Sequence, residues 1–170
     1  MLALIQDDIA ADAGESLRES MRPLAEPRHR GAQLLLNIWR EREAAGGFTI
    51  GRDIPSRSVA RIMHNLMVYE PVEKDGAVAD LRVRVAGDTL RFRFGCSPAG
   101  KRMSQIFSRE EFESHIETLR EVIAAGTPIV LNSEMSRGLV IEQRLEVVLL
   151  PVWNAQHTER WVLVGIFYFD

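Results

Sequence analysis

Cysteine is almost missing from this sequence: Cys96 stands alone among 170 residues. An internal disulfide and a multi-cysteine zinc site are excluded with it, and a reducing compartment fits. Basic residues number 21, almost all of them Arg, against 24 acidic ones, so the formal charge is −3. The broad positive field that nucleic acid demands is therefore absent. Long apolar runs are missing too. The longest, Trp161–Phe169, is less than half of the roughly 20 residues a membrane-crossing helix needs. Met1–Ile5 is apolar, but Asp7, Asp8 and Asp12 follow with no basic start, which is not a secretory leader. The histidines show no H-x-x-x-H spacing, and the sequence predicts no metal. These absences lead to the expectation of a soluble cytoplasmic protein with no nucleic-acid partner and no membrane span.

Apolar residues make up 46% and charged residues 26%, a composition that supports one packed core rather than a disordered chain. Residues 1–30 are rich in Ala, Asp and Glu, with Pro23 and Pro27 near the end, and read as a mobile or weakly helical arm. Gly31 to Ala45 is a firmer helix, with Leu34, Leu35, Ile38 and Trp39 clustered at helical spacing. Gly46-Gly47 stops it. Asp53-Ile54-Pro55 opens a third helical segment, whose buried face is Val59, Ile62, Met63 and Leu66.

From Val68 the period changes to two. Val68–Glu73 reads as a strand closed by the turn Lys74-Asp75-Gly76, and Leu81, Val83 and Val85 alternate with Arg82 and Arg84 in the next. Leu90–Phe94 reads as strand or helix. Ser108 with Glu111 forms an S-x-x-E capping box, so a helix begins there, with Phe112, Ile116, Leu119, Val122 and Ile123 as its buried stripe. Ile129–Met135, Val140–Trp153 and Arg160–Phe169 follow as an antiparallel meander. The fold class is α+β: a five-stranded antiparallel sheet with helices on one face and an N-terminal helical extension. The expected division is an arm at 1–30, a helical cap at 31–67 and the sheet domain at 68–170.

Several stretches carry a resemblance. They are Ile38-Trp39-Arg40 on the leading helix, Arg52-Asp53-Ile54-Pro55, and the run Leu81-Arg82-Val83-Arg84-Val85-Ala86-Gly87-Asp88-Thr89-Leu90. Phe94-Gly95, Gly100-Lys101 and Ile106-Phe107 complete them. From Leu35 to Asp170 the chain resembles the PAS sensory domain, in particular the small stand-alone PAS proteins of alphaproteobacteria. The resemblance turns Leu90–Phe94 into a short helix. It also implies a ligand or cofactor held between the sheet and its crossing helices, where Phe92, Phe94, Met103, Phe107, Phe112, His115, Ile116, Leu145, Val147 and Leu163 supply the lining. The plainer reading is that these residues fill a closed core.

His115 sits on the edge of the long helix's apolar stripe, where the resemblance permits a haem ligand. A lone histidine so placed is far more often a core-edge residue, and that is the leading reading. Cys96 lies in Gly95-Cys96-Ser97-Pro98, which departs from the flavin-photoreceptor motif. Glu110, Glu111, Glu113 and Glu117 read as a capping box and a solvated helix face. The basic string Arg82, Arg84, Arg91, Arg93, Lys101, Arg102 would suit an anionic partner or simply a wet surface.

The last strand is apolar on both faces: Trp161, Leu163, Gly165, Phe167 and Phe169 on one, Val162, Val164, Ile166 and Tyr168 on the other. A two-sided dry strand needs cover on each side. The expectation is a homodimer in which Leu34, Leu35, Ile38 and Trp39 of the leading helix meet an outer face of Val162, Val164 and Ile166. The function expected is a non-enzymatic sensory or protein-interaction domain, binding a small apolar ligand or a signalling partner. Since the sequence ends at Asp170 just after that strand, a stand-alone sensor or adaptor is the natural form. The alternatives are a small α+β-barrel enzyme of the ketosteroid-isomerase kind, which needs an acid or histidine pointing into a pocket, and an adaptor with a filled core.

Overall fold

The computed structural model describes residues 17–137 and 139–170. Its strands are β1 (Leu17–Leu24), β2 (Leu66–Lys74), β3 (Ala77–Ala86), β4 (Ile129–Arg137), β5 (Val140–Trp153) and β6 (Arg160–Phe169). The α-helices are α1 (Arg30–Ala44), α2 (Asp88–Arg93), α3 (Met103–Ile106) and α4 (Arg109–Ala125). All strands join one antiparallel sheet in the order β1-β4-β5-β6-β2-β3. The α+β class holds, and so does the C-terminal meander, but the sheet has one strand more than expected. Part of the presumed arm, Leu17–Leu24, pairs with β4 as an outer strand. The remainder of that arm before Leu17 lies outside the described residues.

Helices cover both faces of the sheet. On one side α2, α3 and α4 pack over Met67, Leu81, Val83, Leu145, Val147, Leu149, Val162, Val164 and Ile166. On the other side α1 packs over Val148, Leu150, Val152, Leu163 and Phe167. The face assignment of β6 is therefore the reverse of the one expected. Val162, Val164 and Ile166 are each fully buried under α4's layer, and Leu163 belongs to the α1 layer. The reason is register: Val147 pairs with Ile166 and Leu149 with Val164, so the parity of β5 fixes that of β6.

Helix α1 starts where the His29 imidazole accepts the Gly31 N–H at 3.0 Å. Its apolar stripe, Ala32, Leu35, Leu36, Ile38 and Trp39, is buried. The Trp39 indole N–H donates to the Pro151 carbonyl at 2.7 Å, which satisfies the one polar group of that ring. Helix and sheet approach closely at Gly165, where an added Cβ would stand 2.6 Å from Leu35 Cδ2. Leu35, Ile38 and Trp39 thus meet their own chain's sheet, and Leu34 stays 38% exposed.

The expected third helix is not formed: residues 51–62 run as turns into a 3-10 turn at Met63–Asn65. Asp53 reorganises this stretch. Its carboxylate accepts the Thr49 N–H at 2.8 Å and lies 2.7 Å from Arg52 and 3.3 Å from Arg42. Local side-chain bonding of this kind competes with a helix. Ile54, Val59, Ile62 and Leu66 are buried all the same, in the α1 layer.

The loop from β3 into α2 explains one motif residue. Gly87 has an ordinary negative φ of −67°, so backbone freedom is not its purpose. A Cβ there would fall 2.4 Å from both the Met63 and His64 carbonyl oxygens, which are backbone atoms and cannot swing aside. Gly87→Ala is expected to cost about 3 kcal/mol or more of unfolding free energy through overpacking, read as a lowered midpoint in urea. A midpoint equal to that of the parent chain would show that the 63–66 turn yields.

Candidate functional site

The long helix α4 carries the site. Ser108 caps it, with its hydroxyl accepting the Glu111 N–H and the Glu111 carboxylate accepting the Ser108 N–H at 2.8 Å. Its inward residues His115, Ile116, Leu119 and Val122 are buried against β5 and β6. Towards β4 the contact loosens. A half-open cavity of about 230 Å³ lies between α4 and the sheet, lined by Met21, Ser114, His115, Thr118, Leu119, Leu131, Val147 and Leu149. Met21 comes from β1, Leu131 from β4, and Val147 and Leu149 from β5. The lining is an aliphatic floor with two hydroxyls and one imidazole at the α4 side.

Of the residues expected to line a pocket, His115 and Val147 do so. Met103, Phe107, Ile116 and Leu145 are buried in the surrounding core, and Phe94 and Phe112 pack against it partly exposed. They belong to the packed layer and do not line the cavity. Phe92 points outward and is 86% exposed, because the helical turn of α2 puts Leu90, not Phe92, on the inner side. Leu163 lies on the opposite face of the sheet. Sequence reading missed Met21, Leu131, Leu149, Ser114, Thr118 and Leu119, the last of which it had placed only in the buried stripe of the helix. Leu149 and Leu131 carried a signal, the shared parity with Val147 along adjoining strands. Met21 carried none, since its strand was read as an arm.

His115 is 8% exposed and meets Phe107 edge to face at 6.1 Å between ring centres. Burial pushes its pKa down from 6.5 to about 4, and the charges of Glu19 and Glu111 offset this in part. The ring is neutral at physiological pH. It carries no positive charge for an anion.

A haem does not fit. About 230 Å³ is below the roughly 300–1,000 Å³ of pockets that enclose drug-sized ligands, and a porphyrin is larger than most of those. Packed Phe107 closes the space on one side of His115. The volume does exceed the roughly 150 Å³ of an apolar cavity that takes benzene.

Two further buried polar groups flank the inner layer. Asp80 on β3 accepts the Ser104 hydroxyl at 2.5 Å and the Leu81 N–H at 2.8 Å, and so ties α3 to the sheet. The Tyr69 hydroxyl, inside the same layer, is fully buried with no hydrogen-bond partner among the described residues. Burial, and then the Asp80 charge, drive its pKa well above the ordinary phenol value. Neither Asp80 nor Tyr69 lines the cavity. No cluster of three or more His, Cys, Asp or Glu placed to hold a metal occurs among the described residues. No helix among them is long and apolar enough to cross a membrane.

The basic string does not form one patch. Arg82 and Arg84 lie 3.8 and 3.6 Å from Glu70, Arg91 lies 3.6 Å from Asp88, and the Arg93 guanidinium sits 4.0 Å over the Tyr168 ring. Cys96 is exposed, with the Lys101 ammonium 3.7 Å from its sulfur.

A five-strand antiparallel core crossed by short helices and one long helix, with a cavity beneath the long one, defines a class of sensory fold. The PAS domain family matches residues 27–167, and the chain belongs to that family. No curated protein and no solved structure matches it. PAS domains are generally sensory and interaction domains rather than enzymes.

Two outcomes are expected from this site. His115 stays neutral when folded, so between about pH 6.5 and about pH 4 the unfolded chain binds a proton that the folded one refuses. Its contribution is intact above that interval and is lost as the pH falls through it. His115→Gln should therefore lose less stability than the parent on acidification, measured as urea midpoints near neutrality and near pH 5. Tyr69→Phe removes a buried hydroxyl without a partner and is expected to raise stability by about 1 kcal/mol in the same assay. A drop instead would show that the hydroxyl is satisfied in solution.

Proposed function

We propose that this chain is a ligand-responsive sensory and interaction domain, whose ligand is a small, uncharged, mainly apolar molecule bound between α4 and the sheet. The cavity beside His115 is the observation that carries this reading. Its Leu, Val and Met floor accepts a single aromatic ring or a short aliphatic chain. Ser114 and Thr118 bring hydroxyls suited to one polar atom on it, beside the neutral ring of His115. Each buried methylene contributes about 0.8 kcal/mol, so a ligand of this size binds in the micromolar to millimolar range.

The walls explain how occupancy reaches the surface. The cavity touches α4, β1, β4 and β5 together, so a ligand that prefers one spacing of α4 over the sheet shifts the population of that spacing. On the opposite face of β5, Glu146 is completely buried and its carboxylate accepts the Arg28 and His29 N–H groups at 2.8–3.0 Å. That clamp fixes the start of α1 to the strand that floors the cavity. We read the protein as non-enzymatic. The alternative of an isomerase-like enzyme needs an acid or histidine pointing into the pocket; the described lining supplies His115 but no carboxylate to act with it. A signalling protein partner and a homodimer belong to the same proposal. The expected dimer surface of Val162, Val164 and Ile166 is not part of it, because those residues are sealed within one chain.

Binding of indole, benzyl alcohol and hexanol, followed by chemical-shift changes in the amide spectrum, tests the proposal. Shifts are expected at residues 114–119, 131 and 147–149, with saturation. Leu131→Trp, which fills the half-buried cavity wall from β4, should abolish them while the remaining spectrum stays dispersed. Absence of saturable shifts with all three probes would leave the filled-core adaptor as the better reading.

A further inference from the structure

The strand β1 lies outside the part of the chain that the PAS family matches, which begins at residue 27. Without β1, the sheet would end at β4, with the main chain of Val130–Arg137 open to pairing. The family portion thus presents an acceptor edge, and this chain fills it with its own residues Leu17–Leu24. The fit is complete in register, from Leu17 opposite Arg137 to Leu24 opposite Val130.

The described side chains of β1, from Glu19 to Leu24, lie at the surface or only partly beneath it. Glu19, Ser20, Arg22 and Pro23 are exposed, Met21 and Leu24 are half-buried, and none of these is fully buried. Ser133 donates to Glu19 at 2.9 Å, and Arg22 lies 3.6 Å from Glu134 at an exposed site. Ladder hydrogen bonds, which any strand of the same sequence reproduces, carry the attachment. Behind β1 the connection is short. Ala25 and Glu26 are exposed, Pro27 is buried, and the Glu146 carboxylate then grips the Arg28 and His29 N–H groups. Glu26 is tied to Arg40 at 2.6 Å, but only through an exposed ion pair, which holds the hinge weakly.

We propose that the β4 edge is a strand-acceptor surface whose partner is residues 17–24 of a second copy of this chain, exchanged reciprocally between two protomers. Exchange restores every β1–β4 contact, so its balance is set by hinge strain and association entropy rather than by lost pairing. Edge-to-edge addition of two β1 strands is disfavoured, since that outer edge carries Arg22 and Pro23, residues that blunt sheet edges. In the exchanged dimer, Met21 of one copy completes the cavity formed by His115, Leu119, Leu131, Val147 and Leu149 of the other. The ligand site and the dimer then share a wall. The exchange itself does not depend on the ligand-binding reading, and its test uses no ligand.

Arg22 and Asn132 are direct cross-strand partners, which allows a disulfide test in full-length chains carrying Cys96→Ser. Chains with Arg22→Cys alone and chains with Asn132→Cys alone are mixed, incubated and oxidised with oxidised glutathione. A mixed disulfide dimer joining the two is expected, rising with protein concentration. The double variant, with both cysteines in one chain, reports whether the geometry closes: it should give intrachain disulfide when dilute and linked dimers when concentrated. If the double variant closes within one chain at every concentration and the mixture yields no joined dimer, the exchange is overturned. Equal linkage of Arg22→Cys to a cysteine at exposed Glu110 on α4 would overturn it as well, by showing random collision. A double variant that forms no disulfide at all would overturn the β1–β4 pairing on which the exchange rests.

Discussion

The constraint on which the rest depends is that the two middle strands are dry on both faces. In β5 every residue from Leu145 to Val152 is buried, and in β6 every residue from Val162 to Phe167. An antiparallel pair of this kind has no wet side, so a layer has to be laid over each face. The chain supplies α1 for one face and the α2–α4 group for the other, and each helix stripe takes its position from the strand parity beneath it. Solvent on either face would uncover a sheet that has little polar surface to offer it.

Charge inside this structure is used for fastening. Asp53 closes the 49–53 loop against two arginines, Asp80 holds α3 through Ser104, and Glu146 receives the peptide that leads into α1. In each case main-chain N–H groups or a hydroxyl supply the partner that a buried carboxylate needs. The Asp53 site shows the competition: burial alone would raise its pKa, and the hydrogen bonds and charges of Arg52, Thr49 and Arg42 more than reverse this. The Glu146 and Asp80 attachments set where α1 and α3 begin, the Asp53 attachment shapes the loop after α1, and the apolar layers determine how closely the helices settle.

Much of this was legible before any coordinates. The ends of β5 and β6 and the S-x-x-E start of α4 followed from alternation and capping chemistry, and α2 followed the PAS resemblance rather than its own strand-like alternation. The parity of β6 was not legible. Both of its faces are apolar, and the register set across the Asn154–Glu159 connection is a long-range fact that composition does not encode. Strand β1 was missed for a related reason: the sequence of Leu17–Leu24 has weak alternation, and its strand character comes from β4 rather than from itself. The segment after Asp53 misled because its apolar spacing suits a helix, while a carboxylate three-way bonded to its neighbours bends it into turns. Of the cavity, His115 and Val147 were within reach, because they lie on elements whose inward sides were correctly identified, and Met21 was not.

The notch at Gly165 bears on how α1 can move. With Leu35 seated against a strand residue that has no side chain, and Phe167 and Leu163 standing on either side in the same layer, the helix is keyed to the sheet like a tooth in a slot. Sliding it along β6 would drive Leu35 into one of those neighbours, and tilting it would pull on the Glu146 clamp before the tooth and the Trp39–Pro151 bond after it. Helix and sheet are therefore geared to travel as one piece, and what displaces β5 carries α1 with it.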